Sequence, residues 1–204
     1  MATLSDAGGA PPPPALRALP TIYDGITFRS RSEARWAVFF DTLGVRWQYE
    51  PEGYALPAGN YLPDFWLPDL ECFYEVKGQY PTDNEWEKAC YLAEMSGHLV
   101  FIAFHPMPKF SELTSSGVKG ESIVVAGPLE DAYRSGERPH AWGDYGYQWA
   151  VCRLCGLVAI TYAARGERID CGCHHPGKDY SGDHPRIAEA YTNARTYRSW
   201  TPRG

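Results

Sequence analysis

A chain of 204 residues, 44% of them hydrophobic, can bury the core of one ordinary domain plus a small appendage, which excludes a wholly disordered chain. No apolar run reaches the roughly 18 residues of a membrane span, and no basic-then-apolar leader is present, so a soluble cytoplasmic protein is expected. The net charge of -6 argues against a generic polyanion binder, but it is uneven: residues 1–140 hold 11 Lys and Arg against 19 Asp and Glu, whereas residues 141–204 hold 8 against 6.

Residues 1–20 include DAGGAPPPPALRALP, a Pro-rich arm with too little apolar bulk to build a core. ITF near Ile22 predicts a short strand. SRSEARWAVFFDTLG predicts a helix, with Ser30 and Glu33 at capping-box spacing, Trp36, Phe39, Phe40 and Leu43 on one face, and Gly44 as its stop. VRWQYEP and GYAL read as strands, followed by the hairpin NYLPDFWLPDLECFYEVKG turning at Pro68-Asp69. NEWEKACYLAEMSG predicts a second helix ended by Gly97, and LVFIAF and SIVVAG predict buried strands. The order implies a mixed α/β core over residues 21–127. Residues 128–145 read as a linker. Residues 146–204 read as a cysteine-bearing unit closed by the helix DHPRIAEAYTNARTYRSW, which Asp183 or His184 can cap with Pro185 in its first turn.

The hairpin carries the chemistry. Strand alternation puts Phe73, Glu75 and Lys77 on one face, and the turn returns Asp64 beside Glu75. Two close carboxylates repel unless a cation or proton lies between them, and hard oxygens suit Mg²⁺ or Mn²⁺. Lys77 could orient or help deprotonate a water, or stabilise charge on a phosphate. The plainer alternative is an exposed hairpin face with a cross-strand ion pair.

Pro63-Asp64 followed by Glu75-Val76-Lys77 resembles the PD-(D/E)XK nuclease motif. With SRSEARWAVFFDTLGVRWQYEP before it, and a Lys-bearing helix and LVFIAF after it, residues 22–105 resemble the phage endonuclease I type of Holliday junction resolvase. They are also similar to transposon-end and very-short-patch repair endonucleases. The resemblance implies a restriction-endonuclease-like mixed central sheet flanked by helices. It also implies a Mg²⁺-dependent endodeoxyribonuclease, which could cut branched DNA as a homodimer in a host cytoplasm. It assigns Asp64 and Glu75 as metal ligands, with Glu33 joining them and Lys77 as the catalytic lysine. For Glu33 the capping role alone is the alternative. Arg29, Arg31, Arg35 and Arg46 could grip a DNA backbone. Lys88 could do the same, or pair with Glu85 or Glu87.

Cys152-x-x-Cys155-Gly156 and Cys171-x-Cys173 are four of the six cysteines, a spacing that reads as a structural Zn²⁺ knuckle and ribbon, with LVAITY and RID as its strands. His174 or His175 could replace one thiolate. Cys72 and Cys90 read as small core residues. Arg186, Arg195 and Arg198 on the last helix could touch nucleic acid, with Arg195 and Arg198 sharing a face, and Tyr191 and Tyr197 could stack on bases or pack. Against a nuclease stands a second reading: an inactive nuclease fold that binds DNA or a host protein through the ribbon.

Overall fold

The computed structural model describes residues 18–104, 107, 109, 113–114, 117–118, 123–127, 147–162, 173 and 182–198. The arm before residue 18, the 128–145 linker, the RID strand, Cys171, His174 and His175 lie outside the described residues.

Asp24 and Gly25, both at positive φ (46° and 76°), make the tight turn that pairs β1 (Thr21–Tyr23) with the expected strand β2 (Ile26–Phe28). Helix α1 (Arg31–Leu43) starts where Ser30 Oγ accepts from the Glu33 amide, and ends where Gly44 adopts the left-handed conformation. Its periodic face buries Ala34, Trp36, Ala37, Phe39, Phe40 and Leu43. Each large side chain sequestered this way contributes about 1.5–3 kcal/mol.

A five-stranded mixed sheet forms the centre. Its order is β11 (Ile123–Ala126), β8 (Val100–Ala103), β7 (Cys72–Val76), β6 (Phe65–Leu67) and β3 (Gln48–Tyr49). Only β7 and β8 run parallel, because α2 (Asp83–Ser96) provides the crossover between them. Alternation along β7 sends Tyr74 toward α1 and Phe73 toward α2, giving a sheet covered on both faces. The hairpin differs from expectation at its start. Residues 60–67 are not one strand: β5 (Gly59–Tyr61) pairs with β4 (Tyr54–Leu56), and β6 begins only after Leu62, Pro63 and Asp64. Pro63 lacks the N–H a continuous ladder would need. Two further short strands, β9 (Leu113–Thr114) and β10 (Gly117–Val118), pair with each other.

The ribbon is built from β12 (Tyr147–Val151) and β13 (Val158–Tyr162), the strands on either side of the CxxC turn, so the first of its expected strands is paired with YQWAV. Helix α3 (Pro185–Thr196) is capped by His184, whose Nδ1 accepts from the Arg186 amide. It stops at Thr196, so Arg198 lies beyond the helix and the expected Arg195/Arg198 helical face is not formed. Trp149, Val151, Ile187, Ala190, Tyr191 and Ala194 share a single hydrophobic cluster with α1 and the sheet. The Trp149 indole N–H donates to the Tyr74 hydroxyl at 3.2 Å inside it. Among the described residues no helix is long and apolar enough to cross a membrane.

Candidate functional site

Asp64 and Glu75 face each other one step beyond the Phe65–Tyr74 pair of the β6–β7 ladder. They interlock through the backbone. The Asp64 amide donates to Glu75 Oε1 at 2.9 Å, and the Val76 amide donates to Asp64 Oδ2 at 2.8 Å. Both are buried, at 4% and 1% exposure. Lys77 leaves β7 at its end, where its amide donates to the Ala103 carbonyl at 2.7 Å. Its Nζ lies 3.0 Å from Glu75 Oε2 and 3.7 Å from Glu85 Oε1. Glu85 is placed by a full capping box with Thr82 at the start of α2. Asp64, Glu75 and Lys77 therefore meet as strand alternation predicts.

Glu33 lines the same cleft but is held separately. Its Oε2 accepts from the Arg29 amide at 3.1 Å and from the Tyr49 hydroxyl at 2.6 Å. The Ser30 half of a capping box is present, while the Glu33 carboxylate turns to Arg29 and Tyr49. Arg29 is the residue the sequence did not place among the acids. Its Nη2 sits 2.7 Å from Asp64 Oδ1 and its Nε 2.7 Å from Glu50 Oε1. The cleft holds about 830 Å³ and is lined by Arg29, Glu33, Asp64, Lys77, Glu85 and Lys88, among others.

Electrostatics follow from burial. Desolvation, and then the Glu75 charge, push the Asp64 carboxyl well above the ordinary carboxylate range. Burial pulls Lys77 down, but Glu75 and Asp64 outweigh it and the ammonium ends above its ordinary value. Desolvation and Glu75 likewise raise the phenol of Tyr61 well above normal. Paired carboxylates offer the hard oxygens that suit a divalent cation, although Arg29 and Lys77 already supply positive charge to Asp64 and Glu75 here. They do not form a preformed three-carboxylate cage. Among the described residues, the one group of three His, Cys, Asp or Glu ligand atoms within 4.8 Å of one another is Cys152, Cys155 and Cys173.

That cysteine group sits at the tip of the β12–β13 hairpin and can hold a metal ion. The Cys155 amide donates to Cys152 Sγ at 3.4 Å, the Gly156 amide to the Cys152 carbonyl at 2.8 Å, and Gly156 takes φ 77° to close the turn. Cys152 is buried, Cys173 half-buried and Cys155 exposed, and none of the three is in a disulfide. Cys72 and Cys90 are buried as expected; desolvation pushes their thiols up to about 12 and about 11.

Comparison with known proteins gives no match: no protein-family model, no curated protein and no solved structure corresponds to the chain.

Several basic and aromatic candidates have other work. Arg46 is committed to Asp69, with its Nε 2.7 Å from Oδ1. Arg186 joins two turns, donating to the carbonyls of Gly156 and Leu43. Tyr191 is buried against Phe39 at 4.6 Å between ring centroids and cannot stack on a base. Tyr197 packs edge-on to Tyr23 and donates its hydroxyl to the Ile22 carbonyl. Lys88 pairs with neither Glu85 nor Glu87; its Nζ donates to the Asn60 carbonyl at 3.2 Å at the cleft edge. Arg195 donates to the Met107 carbonyl. Arg31 and Arg198 are exposed and Arg35 is half-buried. Glu85 was legible in advance from the spacing Thr82-x-x-Glu85, whereas Arg29, Tyr49 and Tyr61 carry no local signal.

Proposed function

We propose that the protein is a metal-dependent endonuclease that hydrolyses phosphodiester bonds of DNA. The observation that carries this reading is the backbone-locked Asp64–Glu75 pair with Lys77 on Glu75, in which Asp64 and Lys77 line the cleft and Glu75 lies buried behind them. Asp64 and Glu75 are the residues that would hold a Mg²⁺ or Mn²⁺ ion, with Glu33 near at hand in the same cleft. Such an ion supplies charge neutralisation on the phosphate and a more acidic bound water.

The chain's own groups do the rest. Lys77, kept protonated by its acidic neighbours, is a stabiliser of negative charge developing on the phosphate and not a base. Tyr49 and the Arg29 amide aim the Glu33 carboxylate. The Arg29 side chain, 55% exposed, balances Asp64 and can turn outward to a phosphate. Preference for four-way junctions and action as a homodimer rest on the sequence resemblance alone. In this reading Cys152, Cys155 and Cys173, with Cys171 as the fourth ligand, hold a structural Zn²⁺.

Cleavage of supercoiled, single-stranded and four-way-junction DNA with Mg²⁺ or Mn²⁺ tests the proposal. Asp64→Ala and Lys77→Ala should each lose about 10²-fold or more in rate, the scale of removing one positioned charge-stabilising group. Asp64→Asn, nearly isosteric, separates lost chemistry from lost fold. Wild-type protein that cuts nothing, or variants that cut equally well, would sink the idea. The second reading, a nuclease fold that only binds, is favoured by one fact: Arg29 and Lys77 already neutralise both carboxylates. The same assay decides between them.

A further inference from the structure

Four arginines outside the cleft converge although they come from opposite ends of the chain. Arg31 and Arg35 are one helical turn apart on α1. Arg195 is one turn beyond Tyr191 on α3, and Tyr191 packs against Trp36, the neighbour of Arg35, at 6.2 Å between ring centroids. Arg198 follows just past the helix. The Met107 carbonyl fixes the Arg195 guanidinium in place.

This cluster is uncompensated. Among the described residues no carboxylate forms an ion pair with any of the four. The Arg35 Nε is buried and has no acceptor. Burial, and then the charges of Arg31, Arg195 and Arg198, pull the Arg35 guanidinium below its ordinary value. Like charges gathered without a counter-charge, on a chain of net charge -6, are a cost to the free protein that an anion would remove. Arg31 is the first residue of α1, two residues after Arg29 and two before Glu33, which both line the cleft, so the cluster starts from the helix end nearest the cleft.

We propose that Arg31, Arg35, Arg195 and Arg198 form one phosphate-binding strip that seats the nucleic-acid backbone alongside the cleft. The identity of its ligand rests on the nuclease reading. Guanidiniums suit this role because their planar donors match phosphate oxygens in pairs. The strip makes the C-terminal helix a part of substrate binding: α3 supplies the second half of a surface that α1 begins.

The test is the salt dependence of binding, which needs no catalysis. The full chain, with its zinc retained and no Mg²⁺ or Mn²⁺ added, is titrated against a labelled short DNA duplex between about 50 and 200 mM salt. Removing one arginine that neutralises a phosphate should flatten the slope of log Kobs against log salt by about 0.9. Arg31→Gln/Arg35→Gln should therefore flatten it by about 1.8 and Arg198→Gln by about 0.9. Arg198 is exposed and outside the helix, so its variant keeps the test meaningful if the double variant misfolds. Slopes equal to wild type, no DNA binding by wild type, or equal binding to poly-glutamate would each overturn the strip. Absent cleavage with strip-dependent binding removes only the nuclease reading. Cleavage with unchanged slopes removes only the strip.

Discussion

At the scale of single residues, Asp64 concentrates the tension of the site. It is buried beside a second carboxylate, yet one oxygen is spent on the Val76 amide and the other on Arg29. Its carboxyl titrates well above the ordinary 3.8, first through burial and then through Glu75. The folded state thus binds this proton more tightly than the unfolded chain. The stabilisation is complete below pH 3.8 and is lost as pH rises toward the folded value. Asp64→Asn should remove that decline from the urea midpoint measured against pH, in protein without added divalent ion. An unchanged profile in the variant would show that Asp64 is not the group responsible. The neighbouring residues explain why sequence alone could pair Asp64 with Glu75 and not with Arg29. Glu75 follows from a two-residue strand period across a short turn. Arg29 arrives from a loop before α1, and only the packing of that helix on the sheet brings it to within 2.7 Å of Asp64.

At the scale of elements, the parts that were legible are those with strong local signals. Gly44 and Gly97 end α1 and α2 in left-handed conformations, as their positions after apolar helical faces imply. The capping box that reads from Ser30 and Glu33 is completed instead at Thr82 and Glu85. Glu33 is diverted because Tyr49 and the Arg29 amide offer its carboxylate tertiary partners. Thr82 does double duty: it starts α2 and fixes Glu85 beside Lys77. Thr82→Ala should destabilise the protein by about 1 kcal/mol, the usual cost of a lost N-cap. Urea denaturation checks this, and a loss below a few tenths would mean that α2 is held by packing alone. β4 matches the strand read from GYAL, whereas β5, three residues long, gives too few alternations to be placed by period.

At the scale of the whole molecule, the cysteine hairpin is wired to the sheet. Trp149 of β12 reaches Tyr74 of β7, and Arg186 ties the CxxC turn to the end of α1. A unit this small has little apolar surface of its own, so its cluster with α1 is what it folds upon. A metal held at Cys152, Cys155 and Cys173 would then stabilise the common core and not only its own loop. Elemental analysis should find about one zinc per chain, and Cys152→Ser should lose it. Chelation should lower the melting temperature of the protein in a single transition followed both by Trp fluorescence and by helix content. Two separate transitions, or melting indifferent to chelator, would overturn this coupling.

The amino-acid sequence by itself determined helices α1 and α2 with their stops, the apolar strands β7, β8 and β11, the meeting of Asp64 with Glu75 and Lys77, and the cysteine knuckle. All of these depend on spacing within a few residues or across one turn. Only the tertiary structure decided that Arg29 occupies Asp64, that Tyr191 is buried, that Arg186 is a tie between turns, and that α3 lies along α1. Some of those outcomes join residues 143 and 151 positions apart. They follow from how two helices share the face of one sheet, and local periodicity carries no information about that.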